Sequence, residues 1–166
     1  FLPGILGKKL RKIVMNKSYR NTVEIAKYAA ELAGITDLEL FERHGKPVVE
    51  EVLWNPEKAV EKIAEYLRVQ PDGYETAAVL TMTDQEAWEL AKALKERLGE
   101  DSVTYMNKDS SRFKKGITVT TFYLAKGLEF DQVFGVFPKK ENPMTGQAKY
   151  ICATRALHEL YMYERA

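Results

Sequence analysis

Between Ala77 and Gly99 the sequence "AAVLTMTDQEAWELAKALKERLG" changes its apolar period partway along, and that change limits the folds open to the chain. Ala77 to Met82 are apolar almost throughout, as a strand covered on both faces requires. From Thr83 onward the period is helical, with Ala87, Leu90, Ala91, Leu94 and Leu98 at i, i+3, i+4, i+7 and i+11. Thr83 with Glu86 three residues later makes a capping box, and Gly99 supplies the stop. The unit is a buried strand followed directly by a helix.

The same alternation runs through the rest of the chain. "RKIVMN" (Arg11 to Asn16) is a short apolar run, "KSYRN" a loop, and "TVEIAKYAAELAG" a helix with Ile25, Ala29 and Leu32 on one side. Asn21 with Glu24 predicts its capping box, and Gly34 its end. "KPVVEEVLW" has the β-branched content of a strand. Asn55-Pro56-Glu57 starts a helix whose apolar face is Val60, Ile63, Ala64 and Leu67, and Pro71-Asp72-Gly73 breaks it. "SVTYMN", "ITVTTF" and "VFGVFP" read as strands, "KKENPMTGQ" as a loop, "AKYICATRALH" as a helix and "LYMY" as a last strand. Strands alternating with helices predict an α/β fold with a mostly parallel sheet covered on both faces. No repeat, low-complexity tract or long linker divides it.

At 166 residues there is enough chain for one domain with a proper core. Its 25 basic and 24 acidic side chains leave a net charge of +1, which gives no global pull toward nucleic acid. Any such binding needs a local basic surface, for which Lys114, Lys115 and Lys126 are candidates. The single cysteine, Cys152, excludes an intrachain disulfide and a Cys-rich metal site and fits a reducing compartment, so a cytoplasmic protein is expected. "FLPGILGKKLRK" lacks the order of a signal peptide, and no apolar run is long enough to span a bilayer. A start at Phe1 rather than Met suggests a piece of a longer protein.

In open parallel sheets, ligands bind outside the carboxyl ends of the strands, which directs attention to the loops there. Ser18-Tyr19-Arg20 offers an aromatic beside a guanidinium, able to stack on a base and reach a phosphate, or to serve only structurally. "YLAKGLEFDQV", Tyr123 to Val133, places charge between two apolar runs. Arg155, in the apolar stretch "YICATRAL", needs a partner, for which a neighbouring carboxylate is the plain alternative. "GILGKK" has its glycines too close and no Ser/Thr after the lysine, so it fails as a phosphate-binding loop. No Asp-Glu pair follows a strand as a magnesium site would require, so the chain is not a self-sufficient ATPase. His44 and His158 are expected to be structural, and Cys152 to lie in the core; no metal ligand set is predicted.

Three stretches taken together, "MNKSYRNTVEIAKYA", "ITVTTFYLAKGLEFDQVFGV" and "KYICATRALHELYMY", resemble motifs IV, V and VI of UvrD/Rep-type superfamily 1 DNA helicases, in that order. "YLAKGLEFD" is most similar to the helicase IV and HelD branch, and "AAVLTMTDQEAWELAKAL" resembles the strand-helix unit between the motifs. The resemblance implies that residues 1–166 are a second, C-terminal RecA-like motor domain, a P-loop NTPase-type three-layer sandwich. The P-loop and the magnesium ligands would then belong to an N-terminal RecA-like domain upstream. ATP with Mg2+ would bind between the two. On that resemblance Tyr19 would pack on adenine, Arg20 approach the γ-phosphate and Glu129 accept from the ribose hydroxyls. Arg155 would be the arginine finger, a role worth about 10³–10⁵ in rate.

Thr121, Tyr123 and Lys126 would contact single-stranded or partly duplex DNA, or brace the motif V loop. The chain departs from many relatives in having Tyr123 where histidine is common, in lacking an Arg-rich lead-in to "YICATRA", and in carrying only "GEDSVTYMNKDSSRFKKG" in place of a long insertion. The implied function is an ATP-dependent DNA helicase motor. A HelD-like RNA polymerase-recycling ATPase, with RNA polymerase as partner, and a non-catalytic RecA-like module are the alternatives. Intact Arg20, Glu129 and Arg155 weigh against the last.

Overall fold

The computed structural model describes residues 21–35, 43–110, 115–139 and 143–165. "RKIVMN", "GILGKK", Tyr19, Arg20 and Lys114 lie outside these residues. The described elements are helix α1 (Val23–Ala33), strand β1 (Val49–Leu53), α2 (Pro56–Arg68), β2 (Thr76–Thr81), α3 (Asp84–Leu98), β3 (Val103–Tyr105), β4 (Gly116–Thr121), β5 (Phe130–Pro138), α4 (Pro143–Thr154) and β6 (Ala156–Arg165). The six strands form one sheet in the order β1-β6-β5-β2-β4-β3, and every neighbouring pair is parallel. An α/β three-layer fold results.

Period-two alternation divides the strand residues between two cores. Ala77 and Val79 of β2, Phe134 and Val136 of β5, and Tyr161 and Tyr163 of β6 meet α2 and α3 on one face. Ala78, Leu80, Val133, Phe137, Leu160 and Met162 meet α1 and α4 on the other. On the first face Phe134 stacks on Tyr161 at 4.7 Å and 10°, with the Tyr66 ring 4.3 Å from Tyr161. On the second, a Cβ at Gly135 would lie 2.7 Å from the Phe137 ring and 2.9 Å from the Cys152 sulfur, so no larger residue fits between the strand and α4. Cys152 is in the core, where burial pushes its thiol above the ordinary range.

Two helix starts are made locally, as the sequence predicts. Asn55 Oδ1 accepts from Glu57 N at 2.9 Å, with Pro56 in the first turn. Thr83 Oγ1 accepts from Glu86 N at 3.3 Å and donates to Glu86 Oε1 at 2.9 Å. The start of α1 differs from the predicted box. Thr22 is the cap, accepting from Ile25 N at 3.3 Å, while the Asn21 amide donates to Ala156 O on β6. Glu24 turns outward to His44 Nδ1 at 2.9 Å and Gly45 N at 2.8 Å. Tertiary partners have claimed both members of the expected box. Gly34 does end the helix, in the left-handed region at φ 70.

The last helix and strand also divide differently. The helix expected over "AKYICATRALH" begins earlier, at Pro143, and ends at Thr154; β6 runs from Ala156 to Arg165, well beyond "LYMY". Pairing with β5 on one side and β1 on the other holds that whole length extended. Arg155 is therefore the connection between helix and strand and not a helical residue.

The charged stretch after β4 is a crossover and not a reversal. Because β2 lies between β4 and β5, residues 122–129 must pass from the carboxyl end of β4 to the amino end of β5. They do so across the second face, with Ala125 fully buried and Phe122 and Leu128 packed into that core. Gly127 takes φ 83 along the way, a conformation glycine adopts without penalty.

Candidate functional site

Glu129 immediately precedes β5 and Arg155 immediately precedes β6, so both stand at the amino edge of the sheet, contrary to the expected carboxyl-edge placement. The carboxyl-edge rule covers loops that follow strands; in this chain the crossover and α4 each deliver their charged residue to the start of the next strand. The two connections are joined there. Phe130 N donates to Arg155 O at 2.9 Å, and Arg155 Nη1 donates to Leu128 O at 3.1 Å. Arg155 Nη2 reaches Thr154 Oγ1 at 3.3 Å, whereas Nε is buried without a hydrogen-bond partner. Burial pushes the half-buried guanidinium below its ordinary value, opposed by the Glu129 carboxylate. Arg155 is thus fixed by a neutral carbonyl and hydroxyl, with one donor nitrogen left over.

The Asn21 side-chain amide, just before α1, donates to Ala156 O at the start of β6 and so joins the same junction. Asn21 follows Arg20 and Ala156 follows Arg155. Tyr19 and Arg20 themselves lie outside the described residues.

Thr121, Tyr123 and Lys126 form a separate cluster. Thr121 ends β4, and its hydroxyl accepts from Leu124 N at 3.4 Å, bracing the start of the crossover. Tyr123 is 63% exposed, with Lys126 Nζ 4.5 Å from its ring centroid. Thr121 is level with Thr81, which is level with Val136, six residues beyond Phe130. At about 3.3 Å per residue, Thr121 is roughly 20 Å along the strands from Arg155. Lys115 does not join this cluster. It precedes β4 at the amino edge and pairs with Glu75 at 2.9 Å, which removes it from the expected basic surface.

The expectation of structural histidines is met by specific partners. His44 pairs with Glu24, whose carboxyl is held down, from 4.5 to about 2, by hydrogen bonds from His44 and the Gly45 amide. His158 stacks on Tyr74 at 5.2 Å and faces Asp131 at 3.4 Å. Beside it, buried Glu159 accepts from Gln132 at 3.0 Å, Tyr161 at 2.5 Å and Tyr74 at 2.8 Å and meets Lys46 at 3.4 Å. Burial pushes its carboxyl up, but those partners outweigh it and the net displacement is downward. Sequence reasoning missed this group, and Arg43 with it, because the stretch before β1 has no period and its partners lie far along the chain.

No described helix is long and apolar enough to cross a membrane. No family model matches the chain, and no curated protein matches it. Among solved structures, a CRISPR-associated protein aligns at 16% identity and a TM-score of 0.46, over 73% of this chain and 18% of that one. The C-terminal domain of a possible DNA helicase from Lactobacillus plantarum WCFS1 aligns at 28% identity and a TM-score of 0.69, over 89% of this chain and 87% of that one. In fold, and along most of its length, the chain is therefore similar to a helicase C-terminal domain of the RecA-like α/β kind.

Proposed function

We propose that the chain is the second RecA-like domain of a UvrD/Rep-type, ATP-dependent DNA helicase or translocase. The observation that carries this reading is the junction at the amino edge, where Asn21, the crossover ending in Glu129, and Arg155 are tied together by hydrogen bonds. Three segments distant in sequence supply one surface with an anchored guanidinium and a carboxylate. The likeness to the C-terminal domain of a possible DNA helicase supports it.

In this reading a nucleoside triphosphate lies against that edge, its magnesium ligands supplied by an N-terminal RecA-like domain. Arg155 meets charge developing on the transferred phosphoryl group, Glu129 accepts from the ribose hydroxyls, and Tyr19 and Arg20 serve the adenine and the γ-phosphate. The separation of about 20 Å suits a second task for Thr121, Tyr123 and Lys126, which present an exposed aromatic and a cation to single-stranded DNA. The Glu129 role gives the test. With the intact protein, Glu129→Ala should raise the KM for ATP and leave that for a dideoxy nucleotide, which lacks the ribose hydroxyls, unchanged. Equal loss with both nucleotides refutes the assignment.

A further inference from the structure

Arg43 stands in the aperiodic stretch before β1, yet both its backbone and its side chain hold distant elements together. Its carbonyl accepts from Val23 N at 2.9 Å, in the first turn of α1. Its guanidinium donates to Leu157 O at 2.7 Å and to His158 Nδ1 at 3.0 Å, at the start of β6. The chain on either side is fitted to this place. Glu24 grips His44 and Gly45, and a Cβ at Gly45 would lie 2.5 Å from Thr22 Cγ2. One residue thus links the helix that follows Arg20 to the strand that follows Arg155.

A bulge makes the link possible. Phe130 pairs with Ala156 and Gln132 with Glu159, so Leu157 and His158 together oppose Asp131 alone. Such an extra residue re-aims side chains. Here it sets His158 flat against Tyr74, with Nε2 3.4 Å from Asp131 Oδ1. A guanidinium can only donate, so His158 Nδ1 must accept and the ring proton sits on Nε2. A second proton would put an N–H, and a second positive charge, directly against Arg43. Among the described residues, the groups facing the ring are Arg43 from the stretch before β1, Asp131 from β5 and Tyr74 from the stretch before β2; Tyr74 in turn binds Glu159, which meets Lys46. Only the neutral ring completes the Arg43 clasp.

We propose that Arg43 is a positioning residue whose guanidinium, clasped by neutral His158, keeps the start of α1 in register with Arg155, and that protonation of His158 breaks the bond to the ring and loosens that register. The consequence for turnover rests on the nucleotide reading above; the clasp itself is a property of this chain and is testable without nucleotide. In NMR spectra of the chain, the Asn21 side-chain amide and the Ala156 amide should shift on acidification with the same midpoint as the His158 ring. Arg43→Ala should move the same two signals in the acid direction at neutral pH. His158→Asn, whose amide oxygen takes the place of Nδ1 and accepts without titrating, should hold the neutral-form shifts throughout. Stationary Asn21 and Ala156 signals while His158 titrates would overturn the clasp, as would an unchanged midpoint of the Asn21 and Ala156 shifts in His158→Asn. If Arg43→Ala does not fold, the wild type and His158→Asn still decide.

In the intact motor, Arg43→Ala should lower kcat by about tenfold to a hundredfold, as displaced catalytic groups do, with a smaller change in KM. His158→Asn should remove the acid limb of the pH profile. An unchanged kcat with a displaced Asn21 signal refutes the positioning role. An intact protein that never hydrolyses ATP, but whose Asn21 signal follows His158, refutes the nucleotide reading and sustains the clasp.

Discussion

Replacing Arg155 by alanine separates a catalytic arginine from a structural one, and the geometry sets the size of both effects. Within the domain, alanine removes two side-chain hydrogen bonds, to Leu128 O and to Thr154 Oγ1, both with neutral partners. Bonds donated by a charged group are worth about 1.5–3 kcal/mol each, so the loss of stability is about 3–6 kcal/mol. That is comparable to the roughly 3–5 kcal/mol expected for breaking a buried ion pair. Against a total stability of about 5–15 kcal/mol, part of the sample unfolds, and turnover must be expressed per folded molecule. If Arg155 neutralises charge on the transferred phosphoryl group, DNA-stimulated turnover of the intact protein should fall by at least about a hundredfold, with ATP affinity kept within several-fold. Arg155→Lys should recover little, because a point charge does not reproduce the planar fork of donors. Melting temperature and turnover measured on the same samples distinguish the two roles. An Arg155→Ala protein that melts lower yet turns over normally per folded molecule refutes the finger, and with it most of the case that this domain takes part in hydrolysis.

The isolated chain should show no ATP turnover, since its sequence has neither a phosphate-binding loop nor the magnesium carboxylates; turnover by a pure sample, with a mutant control excluding contaminants, would remove the two-domain reading. Single-stranded DNA should bind weakly and with strong salt dependence, and Tyr123→Ala should weaken it by about 1–3 kcal/mol if a base stacks on the exposed ring. An oligonucleotide titration that shifts only resonances far from Thr121 and Tyr123 would move the DNA face elsewhere. Glu24, held down from 4.5 to about 2, stabilises the fold above its unfolded value and loses that contribution as pH falls through about 2. Glu24→Gln should accordingly melt below the wild type at neutral pH, and the two melting curves should converge as pH approaches 2. A gap that stays constant from neutral pH down to that point would exclude the His44 and Gly45 contacts as its source.

Helices α2 and α3 were legible in the amino-acid sequence because everything that defines them acts within a few residues. Asn55 and Thr83 bond to amides two and three positions on, and the apolar stripes of Val60, Ile63, Ala64 and Leu67 and of Ala87, Ala91 and Leu94 recur at the helical period. The α/β character followed from the same local signals, and so did the presence of charged groups at Glu129 and Arg155. Their resemblance to helicase motifs was a property of order along the chain and needed no coordinates. Where those groups sit was decided by tertiary structure. The placement of β2 between β4 and β5 turns "YLAKGLEFD" into a crossover that carries Glu129 to the amino edge, and strand pairing along β6 takes Arg155 out of the helix. Asn21 could not be read as anything but a cap from its neighbours, because the carbonyl that claims its amide is 135 residues away. Arg43 carried no signal at all, since its partners are brought to it by a bulge in a strand at the far end of the chain. Periodicity and capping are encoded by neighbours in sequence, whereas the edge of a sheet, the order of its strands and the partner of a buried polar group depend on contacts that exist only once distant segments have met.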